Sequence, residues 1–245
     1  MIEIEVKNLT VKYEASDKTC ALDNISFIVN SGEKVAVIGA NGAGKSTFLL
    51  ALTGIITPIS GEIIIDGIEL NKKTLNSLRK KTGMVFQNPD DQLFMPTVYE
   101  DIAFGPRNYS EKEELIEKSI DEILKNLSVS HLKNRLTHKL SGGEKRLVAL
   151  AGILVMNPKI ILMDEPSSFL DPKARRRLIE ILSGLSQTMI IATHDLDMAL
   201  DLCSRTILLK EGCIYSDMPS SKILHDEKIL EECGLELPIS LYRRR

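Results

Sequence analysis

Residues 34–46 read KVAVIGANGAGKS, and this stretch restricts the architecture of the chain more than any other. A short run of β-branched and small apolar residues ends in glycine, which suits a strand buried on both faces. Behind it, STFLLALTG reads as an apolar helix that stops at Gly54. Between them Gly39, Ala40, Asn41, Gly42, Ala43, Gly44, Lys45 and Ser46 fit G-x-x-x-x-G-K-[ST]. The glycines let backbone N–H groups crowd around phosphate oxygens; Lys45 can reach the outer phosphates and the Ser46 hydroxyl can hold Mg²⁺. A chance glycine turn is the plain alternative, and the correct elements on both sides weigh against it. Thr47 follows directly and belongs to the same candidate set.

Three further strand ends carry candidate chemistry. Ile160–Glu165 is an apolar run that delivers two adjacent acids. Neighbouring side chains of a strand point to opposite faces, but a turn at its end can aim both into one crevice. Asp164 would then serve the Mg²⁺ shell and Glu165 would take a proton from an attacking water. Two solvated loop acids are the alternative. His194 ends IIATHD and fits a sensor of the terminal phosphate, although a lone histidine is more often structural. Gln87 ends MVFQN, where it could touch Mg²⁺ or the attacking water.

The remainder reads as strands IEIEV and ALDNISFIVN, then a hairpin GEIIIDGIEL turning at Asp66-Gly67. The middle third carries a helical stripe at Ile116, Ile120, Ile123, Leu124 and Leu127, with Ser110 and Glu113 at capping-box spacing. Lys173 and Arg175–Arg177 read as an exposed face of a helix that starts at Pro172. SRTILLKEGCIY reads as a closing strand pair and the last thirty residues as helical. The expected class is therefore α/β: a phosphate-loop core with a mostly parallel sheet, an N-terminal antiparallel β subdomain and an inserted helical subdomain over roughly 88–158. Residues 1–215 form the main domain and 216–245 a short helical tail.

Bulk composition narrows the partners. Among 245 residues, 31 basic against 34 acidic side chains leave a net charge of −3, which argues against nucleic acid as the main partner. The four cysteines form no C-x-x-C pair and no leader precedes the first strand, so unpaired thiols are expected. The longest apolar run is about ten residues where a bilayer span needs about twenty. The trailing Tyr242–Arg245 reads as a solvated basic tail.

One feature is left over. LSGGEKRLVALAGIL, at 140–154, opens a helix with free N–H groups in its first turn, a second anion-receptive end with no lysine-and-hydroxyl pair of its own. Ser141 and Glu144 also fit a capping box on an ordinary helix. The ordered set of motifs resembles the nucleotide-binding subunits of ABC transporters over residues 1 to about 215, and Leu140–Glu144 resembles the signature of that family. The resemblance implies ATP and Mg²⁺ as cofactors, and two subunits packed head to tail. It implies that Ser141, Gly142, Gly143 and Glu144 serve ATP held by the partner subunit. It also implies that Tyr13 stacks on adenine, that Ser168, Leu170 and Asp171 belong to an interface loop, and that Ser46, Gln87 and Asp164 (through water) serve Mg²⁺. Phe169 stands where that loop usually has a small residue.

QNPDDQLF at 87–94 followed by TVYEDIAFGP is similar to the energy-coupling-factor group of importers. There Leu93, Phe94, Tyr99, Ile102 and Phe104 would help build a groove for coupling helices of a transmembrane protein, some of them serving as core instead. The short ending is similar to the cobalt or nickel branch, with a homodimer; a vitamin system such as biotin uptake, or a heterodimer with a related ATPase, is the alternative. The implied partners are a transmembrane coupling protein and a substrate-binding membrane protein, with the chain peripheral on the cytoplasmic face of the cell membrane. An ABC ATPase acting on DNA would need a long coiled coil after Gln87, and only about 54 residues separate it from Ser141, too few for such an arm. A fused translation factor would need two phosphate loops, and a plain kinase has no use for LSGGE.

Overall fold

The computed structural model describes residues 1–14 and 19–242. In chain order the elements are β1 (Ile2–Val11), β2 (Leu22–Asn30), β3 (Lys34–Ile38), α1 (Lys45–Leu52), β4 (Ser60–Ile65), β5 (Ile68–Glu69), α2 (Leu75–Arg79), β6 (Thr82–Val85), α3 (Val98–Asn108), α4 (Glu113–Asn126) and α5 (Gly142–Leu154). There follow β7 (Ile160–Asp164), α6 (Pro172–Gly184), β8 (Thr188–Ala192), α7 (Leu196–Leu202), β9 (Arg205–Lys210), β10 (Cys213–Pro219), α8 (Ser220–Ile223), α9 (Glu227–Glu232) and α10 (Ile239–Tyr242).

The strands make two sheets. An antiparallel sheet has the order β2-β1-β4-β5, and a second has the order β10-β9-β3-β8-β7-β6. In the second sheet β9, β3, β8, β7 and β6 run parallel and only β10 is antiparallel, as its pairing with β9 shows. Both faces of this sheet are covered, which is why its strands read as unbroken apolar runs rather than alternations. Along β7, Ile160 and Leu162 face the antiparallel sheet and α1, whereas Ile161 and Met163 face the helices on the other side. Helix α1 lies between the two sheets and is buried nearly all round, its Phe48 ring stacked 4.7 Å from Phe27 of β2. The phosphate-loop strand β3 sits inside the sheet, and the loops at the carboxyl ends of β3, β6, β7 and β8 open on one edge.

Asp66 and Gly67 both have positive φ, 50° and 73°, as a two-residue hairpin turn requires. The Asp66 carboxylate pairs with Lys81 and Lys159, which lie beside the starts of β6 and β7, and so ties the first sheet to the second. All four cysteines are free thiols, and burial pushes that of Cys203 up to about 12. Among the described residues no helix is long and apolar enough to cross a membrane.

Several expectations need correction. Ser110 does not cap α4: it sits beyond the end of α3 with φ 59°, and Lys112 is the N-cap without a side-chain bond. Glu113 instead reaches back to Arg107 and Tyr99, so an ion pair across the turn has taken the acid from the cap. The tail is not helical from 216, because β10 continues to Pro219 in register with Arg205. Lys173 and Arg176 are exposed, but Arg175 pairs with Asp195 and Arg177 donates to the carbonyls of Leu127 and Ser128, just past the end of α4. Strand β6 ends at Val85, which leaves Gln87 in the loop that follows. Of the trailing basic residues, 243–245 lie outside the described residues.

Candidate nucleotide site

The loop from Gly39 to Gly44 links β3 to α1 in a conformation that only glycine supports at its two ends. A Cβ on Gly39 would stand 2.4 Å from the Leu209 carbonyl, and one on Gly44, at φ 104°, would stand 2.7 Å from that of Ala21. Gly44 is also the N-cap of α1 and offers no side chain to the first N–H groups of the helix. Those donors are left for an anion. The Lys45 ammonium is buried and donates to the carbonyls of Gly39 (2.8 Å) and Ala40 (3.2 Å), which holds it across the mouth of its own loop. Thr47 is buried and shares a 2.7 Å hydroxyl contact with Tyr13, whose ring is 65% exposed. An exposed ring fixed at its hydroxyl is a platform on which a planar base can stack.

Asp164 and Glu165 are both 7% exposed. Glu165 turns at φ 46° directly after the end of β7, where the alternation of a strand no longer sets its direction. Asp164 accepts a bond from Ser46, and its Oδ1 is buried without a partner. Burial raises its pKa against the opposing effects of Ser46, Lys45 and Arg146. A desolvated carboxylate oxygen with no donor, beside a serine hydroxyl, is the hard-oxygen set that suits Mg²⁺, an ion that needs only one or two protein oxygens besides phosphate. The residues therefore fit the metal. Glu165 Oε2 is held by His194 twice, through the backbone N–H at 3.1 Å and the ring Nδ1 at 2.6 Å, and the imidazole is otherwise open to solvent. Behind His194, Arg175 grips Asp195 with a 2.7 Å bond from Nη2.

Gln87 is exposed in the loop after β6. Its carbonyl and that of Phe86 are held by Arg146 of α5, a fully buried side chain. Gln92 completes the attachment, accepting from the Phe86 N–H and donating to the Ala149 carbonyl of α5.

The helix start at 141 lies on the surface, with Ser141 and Gly142 exposed. Ser141 and Glu144 form a complete capping box, with the Ser141 N–H 2.8 Å and its hydroxyl 2.9 Å from Glu144 Oε2. These bonds hold the Glu144 carboxyl below the usual carboxylate range. Beside it a cleft of about 410 Å³ is lined by Ser141, Gly142, Gly143, His131, Lys173 and Phe169, among others. Phe169 is 89% exposed at φ 63°, and the flanking Asp171 caps α6 through the N–H groups of Lys173 and Ala174. Leu170 also lines the cleft, and the Ser168 hydroxyl is buried without a partner.

In the segment after Gln87 the aromatic residues divide from the aliphatic ones. Leu93 and Ile102 are core, whereas Phe94 and Phe104 form an exposed edge-to-face pair with centroids 4.8 Å apart. Tyr99 is half-buried and bonds to Glu113.

Arg146, Gln92 and the Arg175–Asp195 pair support the site without belonging to the roles that its sequence motifs assign. For Arg146 the spacing marks burial alone, since it stands four residues before Leu150 on the same buried face of the helix; nothing along the chain marks its carbonyl partners.

The family model described as ABC transporter matches residues 22–168, more than half of the chain. The chain is 44% identical over 240 residues to the energy-coupling factor transporter ATP-binding protein EcfA of Methanothermobacter thermautotrophicus, covering 96% of this chain and 76% of that one. CbiO1 from Clostridium perfringens, described as part of the ABC transporter complex CbiONQ, superposes with a TM-score of 0.84 at 36% identity, over 99% of this chain and 98% of that one. A dimeric ATP-binding cassette in a post-hydrolysis state with ADP and Pi superposes with a TM-score of 0.79 at 30% identity, over 89% of this chain and 98% of that one.

Proposed function

The chain belongs to the ABC transporter family, and from that premise we propose that it is the ATP-hydrolysing motor of an energy-coupling-factor importer, a dimer in which each nucleotide site is built from both subunits. The observation that supports the shared site is the presence of two anion-receptive helix starts in one chain, only one of which carries a phosphate-loop lysine and hydroxyl. The phosphate loop opens α1 and has its acids at the end of a neighbouring part of the sheet, and the exposed capped start at Ser141 opens a different helix, α5.

The roles follow from position. Gly39–Ser46 hold the triphosphate, Lys45 neutralises its outer oxygens, and Tyr13 carries the adenine. Asp164 and Ser46, with Gln87 nearby, would hold Mg²⁺, which when bound supplies charge neutralisation at the phosphates. Glu165 takes the proton from the attacking water as its oxygen bonds the γ-phosphorus and the bond to the β–γ bridging oxygen breaks. ADP and inorganic phosphate leave, and the proton passes from Glu165 to solvent. His194 keeps Glu165 aimed and lies open towards the γ-phosphate. Ser141, Gly142 and Gly143 approach the γ-phosphate of the partner's ATP with helix N–H groups and the positive end of α5. Ser168, Leu170 and Asp171 lie along the same contact.

ATP drives closure because it binds the closed dimer, where both half-sites touch it, better than the open one. Phe94 and Phe104 offer an exposed aromatic surface to coupling helices of a membrane partner, with α3 to α5 as the moving helical unit over about 88–158. Two copies of this chain suffice, since each supplies both half-sites; that supports a homodimer ahead of a pair with a related ATPase. The subunit is peripheral, on the cytoplasmic face of the membrane. The cargo, which we put as cobalt or nickel ahead of a vitamin such as biotin, touches none of these residues and is chosen by the membrane proteins.

Glu165→Gln tests this reading. Turnover should fall by about 10²–10⁴-fold, the scale of a lost general base, with ATP binding kept. The variant should collect as an ATP-bound dimer in sedimentation. Undiminished phosphate release would remove Glu165 from the reaction.

A further inference from the structure

Arg146 is 2% exposed and, among the described residues, is the largest of the fully buried side chains, yet no carboxylate there forms an ion pair with it. Its Nη1 donates to the Phe86 carbonyl at 2.5 Å and its Nη2 to the Gln87 carbonyl at 2.6 Å; its Nε is buried without a partner. Desolvation depresses its pKa, and the charge of Asp164 only partly opposes this. A buried guanidinium left with neutral partners and one orphan donor is a costly way to fill a core, and an apolar side chain would pack this face of α5 at lower free energy. What the arginine provides that an apolar residue cannot is a rigid two-pronged grip on two consecutive carbonyls.

Those carbonyls and that helix belong to opposite halves of the machinery. Gln87 follows β6, a strand of the parallel sheet, and in the proposed function serves the chain's own nucleotide. Helix α5 begins at Gly142, four residues before Arg146, and its N-cap is Ser141, which in the proposed function serves the partner's nucleotide. Gln92 makes a second tie one turn along, from the Phe86 N–H to the Ala149 carbonyl. We propose that Arg146 is a positioning residue that locks the Gln87 loop of a chain's own site to the signature helix which that chain offers its partner, so that the two move as one body. The proposal rests on the reading of Gln87 as a nucleotide-facing residue. Arg146 touches no nucleotide itself; it acts by where it holds Gln87.

A double-mutant cycle tests it. Arg146→Met keeps the length and apolar packing of the stem and removes the grip. Its kcat for ATP hydrolysis should fall about 10- to 100-fold, the scale of a misplaced reacting group, with the KM for MgATP within about threefold of wild type. In a Gln87→Ala background the same substitution should cost less than about twofold more, because nothing is left to misplace. Arg146→Lys, which can reach one carbonyl, should fall between the wild type and Arg146→Met. If Arg146→Met does not fold, the cycle is run on Arg146→Lys with the same readings. Full multiplication of the two effects, a loss of ATP affinity in step with kcat, or wild-type turnover in Gln87→Ala alongside a slow Arg146→Met would each overturn the clamp. Absence of ATP hydrolysis in the wild type would instead overturn the proposed function.

Discussion

The two halves of the nucleotide machinery are built on opposite principles. The phosphate-loop half is buried and under tension: Asp164 Oδ1 is desolvated without a donor, Glu165 turns at positive φ, and the Lys45 ammonium donates to the carbonyls of Gly39 and Ala40. The signature half is exposed and internally satisfied, with Ser141 and Glu144 closing each other's bonds. A site that must bind and cleave a triphosphate keeps charges waiting for a ligand, at the expense of the empty fold. A surface that must meet and leave a partner is better made of a finished helix end whose free N–H groups point outward. Stability and function therefore run in opposite directions at Asp164 and in the same direction at Ser141.

That contrast can be broken by substitution. Asp164→Asn should cut MgATP turnover by at least about 100-fold, the order of a lost phosphoryl-transfer charge. It should also raise the nucleotide-free stability by roughly 1 kcal/mol, since it removes a buried charge. The sign follows from the raised pKa of Asp164: its carboxyl favours the fold below its unfolded value and loses that advantage as pH rises through the folded one. The gain in Tm over wild type should thus be present at neutral pH and vanish in acid. A lower Tm at neutral pH would show that Asp164 is a structural group.

The stability of the signature half should respond the other way. Ser141→Ala should lower stability by about 1 kcal/mol, the cost of an N-cap. Glu144→Gln should lower it by about 0.5 kcal/mol, the scale of a charge at a helix start. Because the Glu144 pKa is depressed, its contribution is complete above the unfolded value and disappears as pH falls through the folded one. Thermal melts of Glu144→Gln and wild type from neutral pH into acid should therefore converge. A constant gap would assign the effect to packing.

Much of this contrast was legible beforehand, for reasons that differ by residue. The phosphate loop, the paired acids and LSGGE are local patterns, in which spacing along the chain already sets geometry. The sheet strands were readable because burial on both faces leaves unbroken apolar runs such as IILMD. Ser110 misled because its spacing suited a cap while Arg107, across the turn, competed for Glu113. Arg146 stayed hidden because its partners are backbone carbonyls 59 and 60 residues away, which carry no side-chain signature. Phe169 was visible as an anomaly, and the structure adds that its ring projects into solvent beside the signature cleft.

The central claim is that neither half-site works alone, and mixing tests it most directly. Lys45→Ala chains lack the phosphate grip, Ser141→Ala chains lack the group offered to the partner, and each should be inactive alone. Combined at equal amounts, with dimers of mixed composition verified by native mass spectrometry, they should regain hydrolysis, because one of the two sites then has both its parts intact. Verified mixed dimers that stay inert at every ratio, or a Ser141→Ala chain that hydrolyses ATP at the wild-type rate, would contradict the account.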